Sequence, residues 1–564
     1  MRRALKRIAF ATAALTAAVA FFVAFTLPRR AGRLTAALPS AIVLGAYHIH
    51  SSRSDGTGSV DDIALAASRA GLQFIIVTDH GDGTRPPDPP AYRHGVLCLD
   101  GAEISSFDGH IVALDLREAS PYPLAGEGRD VVEDIQRLGG RAVLAHPDSP
   151  KDALRWRGPN VAFDGIEWVN ADSEWRDDSP WRLVAVFTRA LVRPAESIAS
   201  LFTRPARTFQ RWDTALRSRA VFGLAAVDAH ANIAWAESEE PRRRTALRLP
   251  SYESMLRVLS QAVVLERALS GDAATDAERL WRALLAGRTY SVTRAVAGVA
   301  ALTFEAERGG EVVAMGGTLD AGPLSPVVRA AVAGVDAARL MLMRDGQTVA
   351  TGRGSVALTN APPGAYRVEA YYPGSDFPWL VSSAIRVQRE SLMGPGGGGA
   401  SVAASPAKTM ALGPETARHV EHDPASSASF DLVDNGVRFA FRLGPGAPAG
   451  QYAAVTSDLG TDAGIERISF TARASRPLRL TLQVRLPGRN NARWRRSFYV
   501  DETARPFMFL LRDFEPVEGA STLRPIAARL HAVLVVAETL NTTPGTDAVV
   551  WLTGMQLGLG ADDR

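Results

Sequence analysis

The 564-residue sequence predicts a multidomain protein with a membrane-spanning helix, a region of buried parallel strands alternating with helices, and two β-rich modules. Three observations predict this class. Apolar runs of about four to six residues, bounded by Gly, Pro or Asp, recur between residues 41 and 230, as expected of strands buried on both faces. Beyond residue 296, apolar and polar residues alternate with period two. Near the N-terminus, the stretch from Ile8 to Leu27 carries no charge.

The uncharged stretch from Ile8 to Leu27 follows four basic residues, Arg2, Arg3, Lys6 and Arg7. As a helix it would be about 30 Å long, which matches the apolar thickness of a bilayer. A cleaved signal peptide usually has a shorter apolar region and a small-x-small cleavage site, which Thr35-Ala-Ala37 matches poorly. We therefore expect residues 1–40 to be an uncleaved membrane anchor rather than a signal segment. The bulk of the chain would then lie outside the cytoplasm, in the periplasm or the extracellular space.

Composition is typical of globular domains, with 46% hydrophobic and 22% charged residues. The formal net charge is only +3 although the sequence pI is about 9.1, because almost all the basic residues are arginine. This bias does not mark a nucleic-acid surface, and we expect no nucleic-acid partner. The single cysteine, Cys98, cannot form an internal disulfide and lies in an apolar run typical of a core strand.

Six of the ten histidines lie at the ends of the apolar runs between residues 48 and 230, with carboxylates beside them. Since the ends of parallel strands share one rim, side chains placed there converge. His48 and His50 are two residues apart and share a face of an extended chain, and Asp228 and His230 repeat this spacing. Imidazoles and carboxylates together suit zinc, manganese or iron. The alternative is that each of these is an unrelated polar residue at the end of a strand. That alternative does not explain why such residues follow so many of the apolar runs.

The same region carries seven short motifs in order: His48-Ile-His50, Ser54-Asp55-Gly56, Thr78-Asp79-His80, Glu103, Gly109-His110, Ala145-His146-Pro147 and Asp228-Ala-His230. In these motifs the sequence resembles the PHP family, the polymerase and histidinol phosphatase metallohydrolases, over about residues 41–295. Within that family it is most similar to the exported stand-alone type that includes carbaryl hydrolase. The resemblance implies a distorted barrel of seven βα units with a di- or trinuclear site for about two to three ions of zinc, manganese or iron. The ligands it implies are His48, His50, Asp55, His80, Glu103, His110, His146, Asp228 and His230.

Three residues among or near the predicted ligands, Asp55, Asp79 and Arg53, are candidates for a catalytic role, and Arg85 is an alternative to Arg53. Asp55 and Asp79 are carboxylates beside the histidines, and Asp79 could instead orient a neighbouring imidazole. Arg53, and also Arg85, could hold the non-bridging oxygens of a phosphate with a fork of donors. The alternative is that both arginines are solvated loop residues.

Helices are predicted between the strands of this region. Ser59 and Asp62 resemble a capping box, and an amphipathic helix is expected from Asp130 to Leu138. The strand that ends at Asn170 could place that residue at the site. The segment 172–219, rich in aromatic residues and arginine, fits either a helical insertion that covers the barrel or a lid or membrane-surface helix pair.

Four segments follow residue 40 in the predicted organisation. Residues 41–295 form the metallohydrolase domain, 296–390 a small β-sandwich, 391–407 a Gly-rich linker, and 408–564 a jelly-roll of carbohydrate-binding-like shape. Three aromatic residues of the last domain, Trp494, Tyr499 and Trp551, either stack on a sugar or pack at the core and edges.

The sequence therefore predicts a metal-dependent hydrolase, by preference a phosphoesterase that uses a metal-bound hydroxide. Two alternatives stay open, a carboxyl-ester or carbamate hydrolase of the same fold and a non-catalytic glycan-binding protein. The expected partners are a small-molecule substrate, a glycan at the C-terminal domain, and a membrane through the N-terminal helix. A nucleic-acid-linked role is not expected, since the sequence has no polymerase segment.

Overall fold

The computed structural model describes residues 2–159, 161–232, 249–322, 325–389, 408–446, 450–459, 464–486, 492–517 and 529–559. The chain divides into two compact units. The first comprises Met1–Asp82, Pro86–Glu118 and Glu127–Leu392, and the second comprises Gly83–Arg85, Ala119–Gly126 and Met393–Arg564. The protein is therefore multidomain and rich in β-structure, as predicted. The predicted linker 391–407 lies outside the described residues.

Helix α1, Arg2–Thr26, is 25 residues long, and none of its residues is buried. It is long and apolar enough to cross a membrane, although a signal sequence near the N-terminus would have the same properties. The predicted apolar stretch from Ile8 to Leu27 lies almost wholly within it.

The first unit continues with β1 Ile42–Tyr47, α2 Val60–Arg69, β2 Phe74–Val77, β3 Ala91–Arg93, β4 Val96–Asp100, β5 Ala102–Ser106, β6 Gly109–Leu114, α3 Gly128–Arg137, β7 Arg141–Leu144, β8 Gly165–Asn170, α4 Pro180–Ala190, α5 Pro194–Ala199, α6 Ala206–Leu216, β9 Phe222–Ala226, α7 Tyr252–Leu256, β10 Leu259–Val264, α8 Ala273–Leu285 and β11 Thr289–Thr293. The predicted capping box is confirmed, because the Ser59 hydroxyl accepts from the Asp62 N–H and the Asp62 carboxylate accepts from the Ser59 N–H.

Strands β1 to β9, apart from the short β3, follow one another around a closed path. β1, β2 and β4 are parallel neighbours, and β5 continues from β4 after one residue. β5, β6 and β7 pair antiparallel, and β7, β8 and β9 pair in parallel. The path closes where the His50 N–H donates to the Ala229 carbonyl and the Val227 N–H to the Tyr47 carbonyl, each at 3.1 Å. The inward side chains form an apolar core that includes Val43, Ile76, Val143 and Leu224.

The expectation that all these strands run parallel is wrong for β6. This strand runs opposite to both of its neighbours. The edge that collects the C-terminal ends of β2 and β7 therefore also collects the N-terminal end of β6. His110 is the second residue of β6, so the reversal brings it to the same edge as the histidines that follow the parallel strands.

Ten further strands follow in the first unit: β12 Leu302–Arg308, β13 Glu311–Ala314, β14 Thr318–Ala321, β15 Val327–Val332, β16 Arg339–Arg344, β17 Gln347–Arg353, β18 Ser355–Thr359, β19 Gly364–Tyr371, β20 Leu380–Ser382 and β21 Ile385–Arg389. β12, β13, β15 and β18 form one sheet, and the other six extend a second. β20 pairs with β11, with Ser291 opposite Val381, so this second sheet is continuous with β10 and β1. The region predicted as a small β-sandwich thus belongs to the same compact unit as the ring of strands.

The segment 172–219 is helical and contains α4, α5 and α6. Helix α6 covers β8 and β9. The Phe209 ring stacks on Trp168 of β8 with centroids 5.4 Å apart, and the buried Trp212 indole donates to the Val221 carbonyl at 2.9 Å. Gly223 in β9 is required there, because a Cβ at that position would lie 2.1 Å from the Trp212 ring. Helix α4 behaves differently and keeps most of its large apolar side chains exposed.

The second unit contains β22 Thr409–Ala411, β23 Arg418–His422, β24 Ser427–Val433, β25 Gly436–Arg442, β26 Tyr452–Asp458, β27 Ile465–Ala474, β28 Leu478–Arg485, β29 Arg493–Val500, β30 Arg505–Leu510, a 3-10 turn Leu511–Asp513, β31 Glu515–Pro516, β32 Ala532–Glu538 and β33 Asp547–Leu559. They form two six-stranded sheets, and one apolar cluster draws its residues from both. Of the aromatic residues considered for sugar stacking, Trp494 is buried in this core, and the Arg473 guanidinium covers the Trp551 ring at 3.7 Å.

Two short segments from early in the chain also belong to the second unit, Gly83–Arg85 and Ala119–Gly126. The Asn541 side chain donates to the Ala125 carbonyl at 2.8 Å, and the rings of Tyr122 and Tyr499 lie 6.3 Å apart. This unit is therefore assembled from three separate stretches of sequence.

Candidate metal centre

All nine predicted ligands converge at one edge of the ring of strands. His48, His50 and Asp55 follow β1, His80 follows β2, His146 follows β7, and Asp228 and His230 follow β9, while Glu103 and His110 lie within β5 and β6. Within the described residues they make up four groups whose ligand atoms lie within 4.8 Å of one another. The groups are His50, Asp55, His80 and His230; His48, His146 and Asp228; His48, His50 and Glu103; and His80, Glu103 and His110. We call these nine residues the nine-residue cluster.

Three cluster residues have a left-handed backbone, with φ of 65° at His48, 29° at His146 and 46° at Asp228. For a residue with a Cβ, this conformation costs roughly 1–2 kcal/mol. Each of the three lies just beyond the end of a strand, where the turn redirects the side chain. Backbone strain of this kind persists where the surrounding structure enforces it, typically at functional sites.

Glu103 is the centre of the cluster. Its carboxylate oxygens lie close to five imidazole nitrogens: His48 Nε2 and His50 Nε2 at 3.2 Å each, His80 Nδ1 at 3.4 Å, His110 Nδ1 at 2.8 Å and His146 Nε2 at 2.9 Å. The side chain is almost completely buried. One carboxylate therefore joins histidines that come from four different strand ends.

Two other carboxylates complete the arrangement. Asp228 Oδ1 lies 3.5 Å from His48 Nε2 and 3.3 Å from His50 Nε2. Asp55 Oδ2 lies 3.3 Å from His230 Nε2 and 3.7 Å from His80 Nε2. Donor atoms about 3.3 Å apart are what a tetrahedral ion with bonds of about 2.0–2.1 Å requires.

The buried charges shift each other's protonation. Burial alone lowers the pKa of His48, but Asp228 and the other neighbouring carboxylates raise it well above its ordinary value. Burial likewise lowers the pKa of His230, yet Asp55 and Asp228 raise it to about 10. Burial raises the pKa of Glu103, whereas the surrounding imidazoles lower it well below its usual range. Several imidazoles thus hold protons to balance the carboxylates, a role that divalent cations would take over.

The donor set fits divalent transition metals. His50 Nε2 is buried and, among the described residues, has no hydrogen-bond partner, although carboxylate oxygens of Glu103 and Asp228 lie within 3.3 Å. Such a nitrogen is suited to ligate an ion. Imidazole with carboxylate favours zinc, manganese or iron over calcium, which takes oxygen ligands only.

Glu167, in the middle of β8, supports the cluster but was not among the predicted residues. Its Oε1 lies 2.5 Å from His48 Nδ1, and its Oε2 accepts from the His146 backbone N–H at 2.7 Å and from Asn170 Nδ2 at 3.0 Å. Asn170, which the sequence did place near the site, also donates to Asp228 Oδ2 at 2.9 Å. The available signal for Glu167 was a single acid inside the apolar run Gly165–Asn170.

Tyr252 of α7 is a second residue that sequence reasoning missed. Its hydroxyl donates to the His50 carbonyl at 2.8 Å and accepts from the backbone N–H groups of Thr57 and Gly58, at 3.0 Å and 3.1 Å. The phenol therefore fixes the loop that carries Asp55. No local sequence pattern predicts this contact, because Tyr252 lies far along the chain from the loop.

Asp79 lies outside the four groups and orders the loop after β1. It accepts from the Ser51 N–H and from the Ser54 hydroxyl, each at 2.7 Å, and the Ser54 oxygen lies 3.4 Å from His50 Nδ1. This geometry fits the orienting role considered for Asp79. Arg53 pairs its guanidinium with Asp88 and Asp100, and its role in holding phosphate stays a prediction.

Glu167→Gln is expected to weaken metal affinity by about 10–100-fold, the usual range for a group that orients a ligating histidine. The amide keeps the size of the side chain but removes the charge that holds a proton on His48 Nδ1. Isothermal titration of zinc and manganese into the metal-free protein measures the change. Glu278→Gln, at an exposed position of α8 where the carboxylate pairs with Arg282, makes the same change of charge at the surface and serves as the control. Unchanged affinity in Glu167→Gln would show that the His48 contact has no orienting role.

Comparisons with known proteins identify only distant structural neighbours. No family model matches the chain, and no curated protein matches it. Among solved structures, a two-domain protein of Bacteroides vulgatus containing a predicted PHP-like metal-dependent phosphoesterase is 14% identical, with 63% of this chain and 99% of that chain covered and a TM-score of 0.26. The family 11 carbohydrate-binding module of a Clostridium thermocellum cellulosomal cellulase is 11% identical, with 28% and 97% covered and a TM-score of 0.23. TM-scores this low do not assign a function to the chain.

Proposed function

We propose that the protein is a metal-dependent hydrolase of phosphate esters, built on a PHP-type barrel. The position of Glu103 is the observation that supports this proposal most strongly. Its two oxygens approach different imidazoles, His48, His50 and His80 on one side and His110 and His146 on the other. A carboxylate placed in this way can bridge two ions, and paired ions stabilise both the attacking and the leaving oxygen of a phosphoryl transfer.

The nine-residue cluster has enough donors for two to three ions. Glu103 belongs to two of its four groups, one with His48 and His50 and one with His80 and His110. The other two groups are His48, His146 and Asp228, and His50, Asp55, His80 and His230. A group of three protein donors would leave a coordination position for water or substrate, as catalytic sites require.

When bound, divalent ions would supply Lewis acidity, lower the pKa of a water molecule and neutralise charge on the substrate. The chain's own residues prepare the donors for this. Glu167 lies at His48 Nδ1 and would keep the proton on that nitrogen, so that Nε2, which faces Glu103 and Asp228, would be the nitrogen that gives up its proton to bind an ion. Asn170 holds Asp228 in the same way, through a hydrogen bond to the outer oxygen Oδ2.

Hydrolysis of neutral carboxyl esters or carbamates is the alternative activity for this site. The partly exposed Trp175 follows Asn170 closely along the chain and offers apolar surface, and its indole N–H donates to Asp172 Oδ1 at 3.1 Å. Neutral substrates would bind through apolar contacts with such a surface rather than through hydrogen bonds from an arginine guanidinium.

The decisive experiment is a substrate screen on the full-length protein after chelation and reloading with zinc, manganese or iron. We expect chelation to abolish turnover, reloading to restore it, and inorganic phosphate to inhibit competitively. Phosphomonoesters, phosphodiesters and neutral aryl esters are compared under one condition, with the Glu103→Gln variant as the matched blank. Turnover of neutral esters without turnover of phosphoesters or inhibition by phosphate would replace the phosphoesterase by an ester or carbamate hydrolase.

We further propose that α1 stays attached as a membrane anchor and that both compact units lie outside the cytoplasm. The length and apolar composition of α1 support the anchor. A glycan is proposed as a partner of the second unit, whose two antiparallel sheets have the sandwich architecture used by many binding modules.

A further inference from the structure

Helix α4 presents an unusual apolar surface. Trp181, Val184, Phe187 and Leu191 recur every three or four residues from the start of α4 to its C-cap, so they share one face. All four are exposed, Trp181 by 83% and Leu191 by 77%. On the opposite face of the helix, Val186 is buried against the rest of the first unit. We call these four residues the α4 face. Soluble proteins rarely leave a continuous apolar surface of this kind uncovered, and it marks an interaction site.

The α4 face lies next to the end of the proposed membrane anchor. The Arg189 guanidinium at the C-terminal end of α4 donates to the Thr26 carbonyl, the last residue of α1, at 3.3 Å. Arg193 donates to the Pro28 carbonyl, and Glu196 of α5 accepts from the Ala31 N–H at 3.4 Å. The chain is thus tied to α4 and α5 at the point where α1 ends, so Leu191 lies near the level at which α1 would leave the bilayer.

The charge of residues near the α4 face favours a lipid surface as its binding partner. Arg182 pairs with Asp178, and Arg189 and Arg193 bind the chain at the end of α1. Arg29, Arg30 and Arg33, which follow α1, are exposed. Arginines at this level can contact lipid phosphates, while the aromatic and aliphatic side chains enter the acyl region.

We propose that the α4 face lies in the interface of the bilayer that α1 spans and seats the first unit on the membrane. This inference rests on the proposed anchor. An interfacial helix buries its apolar face about 5–10 Å into the boundary between headgroups and acyl chains. Together with α1, this second attachment would hold the unit that carries the nine-residue cluster in one orientation at the lipid surface, where lipid-borne or membrane-associated phosphate esters are accessible.

Site-directed fluorescence on the full-length protein in phosphatidylcholine–phosphatidylglycerol vesicles tests this proposal. Cys98 is buried and its pKa is raised to about 11, so a thiol-reactive, polarity-sensitive dye labels an introduced cysteine selectively at neutral pH. The dye is placed on the α4 face in Val184→Cys and, as an independent position, in Leu191→Cys. Glu278→Cys on the exposed surface of α8 is the matched control, and Val19→Cys in α1 reports on the anchor itself.

We expect blue-shifted emission and several-fold stronger quenching by acyl-chain nitroxide lipids at residues 184 and 191 than at residue 278. If residue 19 is quenched while residues 184 and 191 behave like residue 278, the anchor stands and the interfacial role of α4 is wrong. If residue 19 is not quenched either, both the anchor and this inference are wrong. Blue-shifted emission at residue 184 without lipid, together with a concentration-dependent dimer, would assign the α4 face to a second copy of the chain.

Discussion

The Glu103→Ala variant is expected to lose most of its bound metal and more than about 100-fold in kcat/KM, beyond the range for groups that merely orient a ligand. The reason is geometric. The Glu103 carboxylate lies within 3.4 Å of imidazole nitrogens from five histidines, and it carries the buried negative charge that adjacent cations require. Removing it would take away a donor that two of the four groups share, and with it the negative charge that would offset the repulsion between bound cations.

Elemental analysis by mass spectrometry gives the metal content, and steady-state kinetics on the substrate class identified by the screen gives kcat/KM. The control is Glu278→Ala on α8, whose carboxylate pairs with Arg282 at the surface and should leave both quantities unchanged. Glu103→Gln preserves the volume of the side chain and separates loss of charge from loss of packing. Full metal content and full turnover in both Glu103 variants would refute the bridging role.

The Glu369→Ala variant is expected to destabilise strand β19 by about 3–5 kcal/mol, because breaking a buried ion pair leaves its partners uncompensated. Glu369 is fully buried. It accepts two hydrogen bonds from Arg204, at 2.6 Å and 2.9 Å, and one from Arg367 at 2.5 Å. Arg367 in turn pairs with Asp213 of α6 through two bonds, so the network joins the helical segment 172–219 to strand β19.

The contribution of Glu369 depends on pH with a defined sign. Burial raises its pKa, but Arg204 and Arg367 lower it to about 2, below the ordinary value of 4.5. A carboxylate with a lowered folded-state pKa stabilises the fold fully above its unfolded value. This stabilisation is therefore complete at neutral pH and is lost progressively as the pH falls from about 4.5 toward 2. The difference between wild type and Glu369→Ala should shrink over the same interval.

Hydrogen–deuterium exchange of β19 peptides, corrected for intrinsic exchange, measures the local opening free energy in both proteins at each pH. Glu307→Ala is the matched control, because this carboxylate also pairs with an arginine, Arg329, but at an exposed position. An exposed pair contributes about 0–1 kcal/mol. Equal exchange in the two variants would mean that the buried network does not stabilise β19.

The strand-end histidines of the nine-residue cluster could be recognised from the sequence because they follow a local rule, whereas Asp55 was implied only by the family resemblance. Each strand-end histidine stands next to an apolar run, so strand and ligand could be recognised together at His80, His146 and His230. His110 precedes its apolar run, and its convergence with the others depends on the reversed direction of β6, which no local pattern encodes.

Glu167 and Tyr252 were missed for different physical reasons. Glu167 interrupts a buried strand, and an isolated acid in an apolar run identifies no partner until the fold brings it to His48. Tyr252 acts across 202 residues of sequence on the His50 carbonyl. The alternation beyond residue 296 predicted β-strands correctly, but the pairing of β20 with β11 depends on register rather than composition.

The composition of the second unit has a consequence for the order of folding. Ala125 is bonded by Asn541, 416 positions later in the chain. At usual synthesis rates, roughly 20–80 s separate the emergence of these two residues. During that interval Gly83–Arg85, which follow His80 closely, and Ala119–Gly126 lack the strands of their own unit. Nascent chains should therefore be most vulnerable to proteolysis at these two loops, and chaperones that act on the early part of the chain would need to protect them until synthesis is nearly finished.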